Sequence, residues 1–332
     1  YKCESRNNYS SEQQKRSGKT SGESVSGGIR VSEEVKPPKC GVVAVIGAPN
    51  AGKSTLVNQL VGQKVAITSA KAQTTRARML GIALHDEVQM ILVDTPGIFE
   101  PRRRLDRAMV SAAWDCTDSA EAIVLPIDPV KQRRHELEPI LEALENRPER
   151  KILVLNKVDK AKKEPLLQLA EEMAQRVAFE EIFFVSALNG EGVSEMKDAL
   201  AAMMPEGVWM YPEDQVSDAS ERLLATEITR EQLYAQLHEE LPYDTAVRPE
   251  LYKHRPDGSL EIHQQIVVTR ETQRPIVLGK GGQKIKAMRT YENDAELEVL
   301  GVKVHLFLHV KLSEGWSEDK EVFEEMGLDW VK

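Results

Sequence analysis

The stretch Gly47-Ala48-Pro49-Asn50-Ala51-Gly52-Lys53-Ser54, followed by Thr55, carries the spacing GxxxxGK[ST]. Such a loop can wrap backbone N–H groups around phosphate oxygens at the start of a helix. Its lysine ammonium then reaches the outer phosphates and its serine hydroxyl a Mg²⁺ ion. Asp94-Thr95-Pro96-Gly97 closes an apolar run, Met90 to Val93. A carboxylate there lies beside the first loop in a doubly wound sheet, where it would hold Mg²⁺ through water, and the Gly97 N–H would meet the terminal phosphate. Asn156-Lys157-Val158-Asp159 follows the run Ile152 to Leu155. The Asp159 carboxylate can accept both the N1–H and the exocyclic amine of guanine, a pair of donors that adenine lacks. Ser186-Ala187-Leu188, after Ile182 to Val185, would complete the base pocket with a backbone N–H. These residues point to GTP or GDP with Mg²⁺.

Between the first two motifs lies Gln73-Thr74-Thr75-Arg76. One threonine should join Ser54 and Asp94 around the metal, Thr75 ahead of Thr74. Ile98 follows Gly97, and an aliphatic side chain cannot orient an attacking water. The expected catalytic set is therefore Lys53, Thr75, Gly97 and Asn50. The Asn50 amide oxygen could help hold a K⁺ ion beside the transferring phosphoryl group and supply charge that an arginine gives elsewhere.

The elements that must position these residues alternate along the chain. Short apolar runs at Val42 to Ile46, Met90 to Val93, Ala122 to Ile127, Ile152 to Leu155 and Ile182 to Val185 read as buried parallel strands. A weaker edge strand falls near Leu80 to Leu84, and helices fill the gaps. The expected architecture is a P-loop G domain of α/β class over residues 39–204. Residues 1–38, polar and closing on Pro37 and Pro38, read as a disordered tail; 205–218, with Pro205 and Pro212, as a stiff linker. A second domain, 219–332, shows a helix near Ala219 to His238, β-like runs at Thr245 to Tyr252 and Glu261 to Thr269, a Gly-rich turn, a helix, a strand at Val302 to Lys311 and a charged helical tail.

With 332 residues, 41% hydrophobic and 29% charged, the chain can bury two cores, and its longest apolar runs are too short to span a bilayer. The net charge of −9 disfavours nucleic-acid binding by the molecule as a whole, so any such site must be a local basic patch. Cys3, Cys40 and Cys116 have no metal-ligand spacing and read as free thiols. A basic patch does occur. Ile276-Val277-Leu278-Gly279-Lys280-Gly281-Gly282-Gln283-Lys284-Ile285-Lys286 reads as apolar residues, a GxxG loop and a helix start, with Arg270, Arg274 and Arg289 nearby. In this order of elements it fits a KH module, whose loop brings backbone to the sugar-phosphates of about four single-stranded nucleotides.

GAPNAGKS, QTTR, DTPG, NKVD and VSAL followed by IVLGKGGQKIK resemble the Era family of GTPases over everything after the tail. That resemblance implies a type II KH domain of α+β class after the G domain. It also implies a monomeric factor in small ribosomal subunit assembly, binding small-subunit rRNA near its 3′ end, with peripheral membrane contact open. RNA contact carries over to Gly279, Lys280, Gly281, Gly282, Lys284, Lys286 and Arg289. Some stretches are similar to alphaproteobacterial and mitochondrial members, which favours the mitochondrial matrix, with the chloroplast stroma or bacterial cytoplasm as alternatives. One departure is acidic: Glu292, Asp294, Glu296 and Glu298 follow the GxxG helix start and should repel phosphate. The competing reading is a GTPase switch whose C-terminal domain engages a protein or a membrane.

Overall fold

Continuous apolar runs can be buried only where helices cover both faces of a sheet. The computed structural model, which describes residues 37–239 and 241–331 without the side chains of 292–300, builds that arrangement. The expected tail to residue 36, Cys3 and the acidic side chains from Glu292 to Glu298 lie outside the described residues.

Strands β1 (Lys39–Val45), β3 (Val88–Asp94), β4 (Ala122–Ile127), β5 (Arg150–Asn156) and β6 (Glu181–Val185) run parallel. Strand β2 (Met79–His85) pairs antiparallel with β3 at the edge, giving the order β2-β3-β1-β4-β5-β6. Helices α1 (Lys53–Val61) and α5 (Val193–Met203) cover one face through Leu56, Leu60, Met196 and Leu200. Helices α3 (Arg134–Glu145) and α4 (Lys163–Arg176) cover the other through Leu137, Ile140, Leu166 and Met173. The order reverses at β1, so the loops leaving β1 and β3 meet at the carboxyl edge, where a doubly wound sheet binds its ligand.

The second sheet follows α6 (Glu221–Gln236). Strands β7 (Ala246–His254) and β8 (Leu260–Val268) are antiparallel. Helices α7 (Arg274–Leu278) and α8 (Gln283–Leu300) flank the GxxG turn, and β9 (Val304–Leu312) returns parallel to β8. A short helix, α9 (Lys320–Glu325), closes the chain.

The joining segment, read from sequence as a stiff linker, has a definite seat. It lies against the first sheet because its backbone finds partners there. Gln89, fully buried, accepts the N–H groups of Met210 and Tyr211 on its side-chain oxygen and donates to the Tyr211 carbonyl. Ile82 N–H donates to Val216 O at 2.8 Å and Ser217 Oγ to Leu80 O at 2.7 Å, covering the outer edge of β2.

The two sheets share a buried seam. Leu105, Ala108 and Met109 of α2 (Arg104–Asp115), the helix that follows the DTPG turn, pack with Ala246, Val267, Trp316, Val322 and Phe323. Helix α6 is buried along Ala225 to Tyr234, polar residues included.

Candidate nucleotide cleft and GxxG loop

The phosphate loop bends because Gly47 and Gly52 take φ of 152° and 94°, and Asn50 takes 62°. Gly52 must be glycine for space as well: a Cβ there would meet Asn156 Nδ2 at 2.2 Å. Lys53, at the start of α1, donates to the carbonyl oxygens of Gly47 at 3.2 Å and Ala48 at 3.1 Å. Burial lowers its pKa to about 8, against a partial rise from Asp94, so an anion in the loop would restore its full charge.

Beside it, Ser54 Oγ donates to Asp94 Oδ2 at 2.7 Å and lies 2.9 Å from Thr75 Oγ1, which is 3.1 Å from the same Asp94 oxygen. Thr74 points elsewhere, its hydroxyl on Lys71 O at 2.8 Å. Burial drives the Asp94 pKa up to about 6 even though Ser54, Lys53 and Thr75 oppose it, and its buried Oδ1 has no partner among the described residues. Two hydroxyls around an under-bonded carboxylate make an all-oxygen donor set, which fits a hard divalent cation such as Mg²⁺. Thr95 Oγ1 donates to Val45 O at 2.8 Å, pinning the DTPG turn to β1. Gly97 approaches the loop so closely that a Cβ would lie 2.9 Å from Pro49 Cγ. Ile98 is buried in the core, its N–H on Gly47 O at 3.0 Å.

At the base end, Asn156 ties three loops together. Its Nδ2 donates to Ala51 O at 2.9 Å, and its Oδ1 accepts from the N–H of Lys157 at 2.8 Å and of Ala187 at 3.0 Å. Asp159 Oδ1 accepts from Ser186 Oγ at 2.7 Å. A cleft of about 600 Å³ runs between the two ends, lined by Lys53, Ser54 and Thr75 at one and Asp159, Ala187 and Leu188 at the other. Pro96 continues the turn near the phosphate end, while the Thr55 side of α1 lines the cleft.

Sequence reasoning missed Asp128. It follows directly on β4, much as Asp94 closes β3, and that placement was the available signal. Its Oδ2 accepts from Lys157 Nζ at 2.7 Å, and the same ammonium donates to Asn50 O at 2.6 Å. Burial works against its charge, but Lys157 and the N–H groups of Lys131 and Val130 outweigh that and hold its carboxyl below the usual range.

The segment around Thr75 was also read without its partners. Arg230 on α6 donates to Thr74 O and pairs with Glu227 at 2.6 Å, both side chains buried. Tyr234 Oη donates to Gln73 O at 3.0 Å, Lys71 Nζ donates to Tyr234 O and Leu237 O, and Glu231 accepts from Thr68 N at 3.0 Å and Lys64 Nζ at 2.5 Å. Arg76 is buried under the loop before β7, donating to the carbonyl of Thr245 at 2.7 Å. The second domain thus clasps the segment between the phosphate loop and β2 along its length.

In the second domain Gly279, Gly281 and Gly282 all take positive φ, of 73°, 61° and 77°. A Cβ on Gly279 would meet the Lys284 backbone nitrogen at 3.0 Å, whereas Gly281 and Gly282 face open space. Lys280, Lys286 and Arg289 are exposed and Lys284 is half-buried, so basic charge surrounds a turn whose backbone is open to an approaching strand.

A glycine-rich loop on a doubly wound sheet, with a carboxylate at its base end and a GxxG turn in a three-stranded α+β domain, defines a P-loop GTPase joined to a KH domain. Residues 42–157 match the family model described as "50S ribosome-binding GTPase", and 240–317 match "KH domain". GTPase Era of Erythrobacter litoralis is 77% identical over 301 residues, covering 90% of this chain and 99% of its own length. That of Sinorhizobium medicae is 52% identical over 296 residues, covering 89% and 96%. Era in complex with MgGDPNP and nucleotides 1506–1542 of 16S ribosomal RNA aligns with a TM-score of 0.83 at 36% identity, covering 87% of this chain and 99% of that one. A variant of Aquifex aeolicus Era bound to GDP·AlF₄⁻ aligns at 0.82 and 36%, with the same coverage. The chain belongs to the Era family of GTPases. These relatives are bacterial, whereas the sequence reading favoured the mitochondrial matrix with the bacterial cytoplasm as an alternative. Among the described residues no helix is long and apolar enough to cross a membrane.

Proposed function

We propose that this chain binds and hydrolyses GTP in the cleft between Lys53 and Asp159 and grips single-stranded RNA at the 3′ end of small-subunit rRNA through Gly279 to Gly282. It would serve small ribosomal subunit assembly in the bacterial cytoplasm, as a monomer. The observation that carries this reading is the bond from Arg230 to Thr74, next to the threonine that meets Ser54 and Asp94. Nucleotide state would thereby bear on α6, the helix that leads into the stretch matched to the KH domain.

Ser54, Thr75 and Asp94 would hold Mg²⁺, which supplies charge to neutralise the phosphates. Lys53 and the loop N–H groups bind the phosphates, Gly97 senses the terminal one, and Asp159, with a backbone N–H of the Ser186–Leu188 turn, reads guanine. Ile98, packed in the core, leaves water positioning to other groups. A K⁺ ion near Asn50 would add charge beside the transferring phosphoryl. Replacing Na⁺ with K⁺ should then raise turnover, and equal rates would remove the cation from the reading. The RNA assignment is tested by binding of an oligonucleotide carrying the rRNA 3′ end. Affinity should differ between the GTP-analogue and GDP states, and the same affinity in both would overturn the coupling.

A further inference from the structure

Among the described residues the stretch from Gly62 to Arg78 holds no helix or strand, so no backbone ladder fixes Thr75, the residue that meets Ser54 and Asp94. Its position comes from α6. Tyr234, fully buried on that helix, places its hydroxyl between the two residues that flank the threonine pair. Oη donates to Gln73 O at 3.0 Å and accepts from Arg76 Nη2 at 3.3 Å. One phenol oxygen therefore brackets Thr74 and Thr75 from both sides.

The same bond opposes a local conformational cost. Gln73 takes a φ of 54°, a left-handed backbone that residues with a Cβ seldom adopt. Thr74 Oγ1, on Lys71 O at 2.8 Å, closes only the turn before it. The remaining support again comes from α6, where Arg230 Nη2 donates to Thr74 O and the carbonyls of Tyr234 and Leu237 accept from Lys71 Nζ. The tyrosine is itself fixed. Its ring stands edge-on to Tyr243, 5.9 Å between centroids and 83° between planes, and the Arg230 guanidinium lies 5.5 Å from its centroid. Arg76 is held in turn by the carbonyls of Thr245, Pro242 and Tyr243 at 2.7, 3.2 and 3.1 Å. A phenol whose proton and lone pair are both committed to anchored partners defines one arrangement of the segment.

We propose that Tyr234 is a positioning residue for the metal: its hydroxyl holds Thr75 within reach of Mg²⁺, so that α6 helps set how tightly the GTP-bound chain retains the ion. This assignment rests on the reading of Thr75 as a metal ligand. Loss of the terminal phosphate releases such a segment, so the hydroxyl should matter little to the GDP complex.

The test titrates Mg²⁺ into the full chain carrying a fluorescent, non-hydrolysable GTP analogue or the matching GDP analogue, and nucleotide retention gives the apparent metal dissociation constant. Tyr234→Phe keeps the ring and removes only the hydroxyl. It should raise the constant for the GTP analogue roughly fivefold or more, the effect of one lost hydrogen bond with its partner stranded, and leave the GDP value unchanged. Thr75→Ala should raise the GTP-analogue constant as well. Adding Tyr234→Phe to Thr75→Ala should raise it no further, because the tyrosine acts through the threonine. No change in Tyr234→Phe, or a further rise in the double variant, overturns the assignment. So does an equal rise or a loss of binding with GDP, as a merely structural tyrosine would give. A constant untouched by Thr75→Ala overturns the metal-ligand reading beneath it.

Discussion

Gly97→Ala tests how the turn after β3 senses the terminal phosphate. A Cβ at this position lies 2.9 Å from Pro49 Cγ and 3.0 Å from Pro49 Cα and N, where ordinary contact begins at 3.4 Å. Two of those atoms are backbone of the phosphate loop, so either the loop or the turn must move by several tenths of an ångström. Gly97 is not among the residues with positive φ, so the alanine adds steric conflict without backbone strain. Overpacking of this kind costs about 1–3 kcal/mol. The cost falls on the state in which the turn closes on the loop to meet a third phosphate; with GDP the turn can swing away and relieve it. Affinity for a GTP analogue should therefore fall roughly fivefold to 150-fold relative to GDP. Calorimetry with both nucleotides at saturating Mg²⁺ measures the ratio. An unchanged ratio, or an equal loss for both nucleotides, would refute the assignment of Gly97 as the sensor.

Asp159→Asn should exchange guanine for xanthine preference, since the amide donates where the carboxylate accepted; unchanged GTP affinity in competition binding would remove Asp159 from base reading. Gly281→Asp should weaken RNA binding and spare GTP hydrolysis. The site has open space and a φ of 61°, which Asp tolerates, so the effect is charge against phosphate; loss of both activities would instead report misfolding. Arg230→Met should destabilise the protein by about 3–5 kcal/mol because it strands buried Glu227, and adding Glu227→Met should recover part of that loss. Urea denaturation of both single variants and the double variant measures the coupling, and additive losses would contradict a buried pair.

The first sheet was legible because parallel strands buried on both faces spell unbroken apolar runs, as at Ala122 to Ile127. The phosphate and base motifs were legible because each follows such a run by a fixed step. The clasp was not. Thr226, Glu227, Arg230, Glu231 and Gln232 are all buried on α6, yet polar residues on a helix ordinarily mark its solvated face. The partners of Arg230 and Glu231, Thr74 and Thr68, lie more than 150 residues earlier, and no local pattern joins them. Asp128 escaped for a simpler reason: a lone carboxylate after a strand has no motif around it. The linker was read from its prolines alone, which give its stiffness but not the sheet edge to which it bonds.

That edge bears on how the protein can be divided. An uncovered outer strand offers unpaired N–H and C=O groups to any other chain, the usual start of edge-to-edge aggregation. Val216 and Ser217 occupy that edge on β2, while Met210 and Tyr211 bond Gln89 on β3 and Glu206 pairs with Lys39 at the start of β1. A G domain cut at Pro205 would lose its own cover and bare Cys40, Leu80 and Ile91, which pack beneath Trp209 and Tyr211. One ending just before Ser220 would keep it and should stay monodisperse.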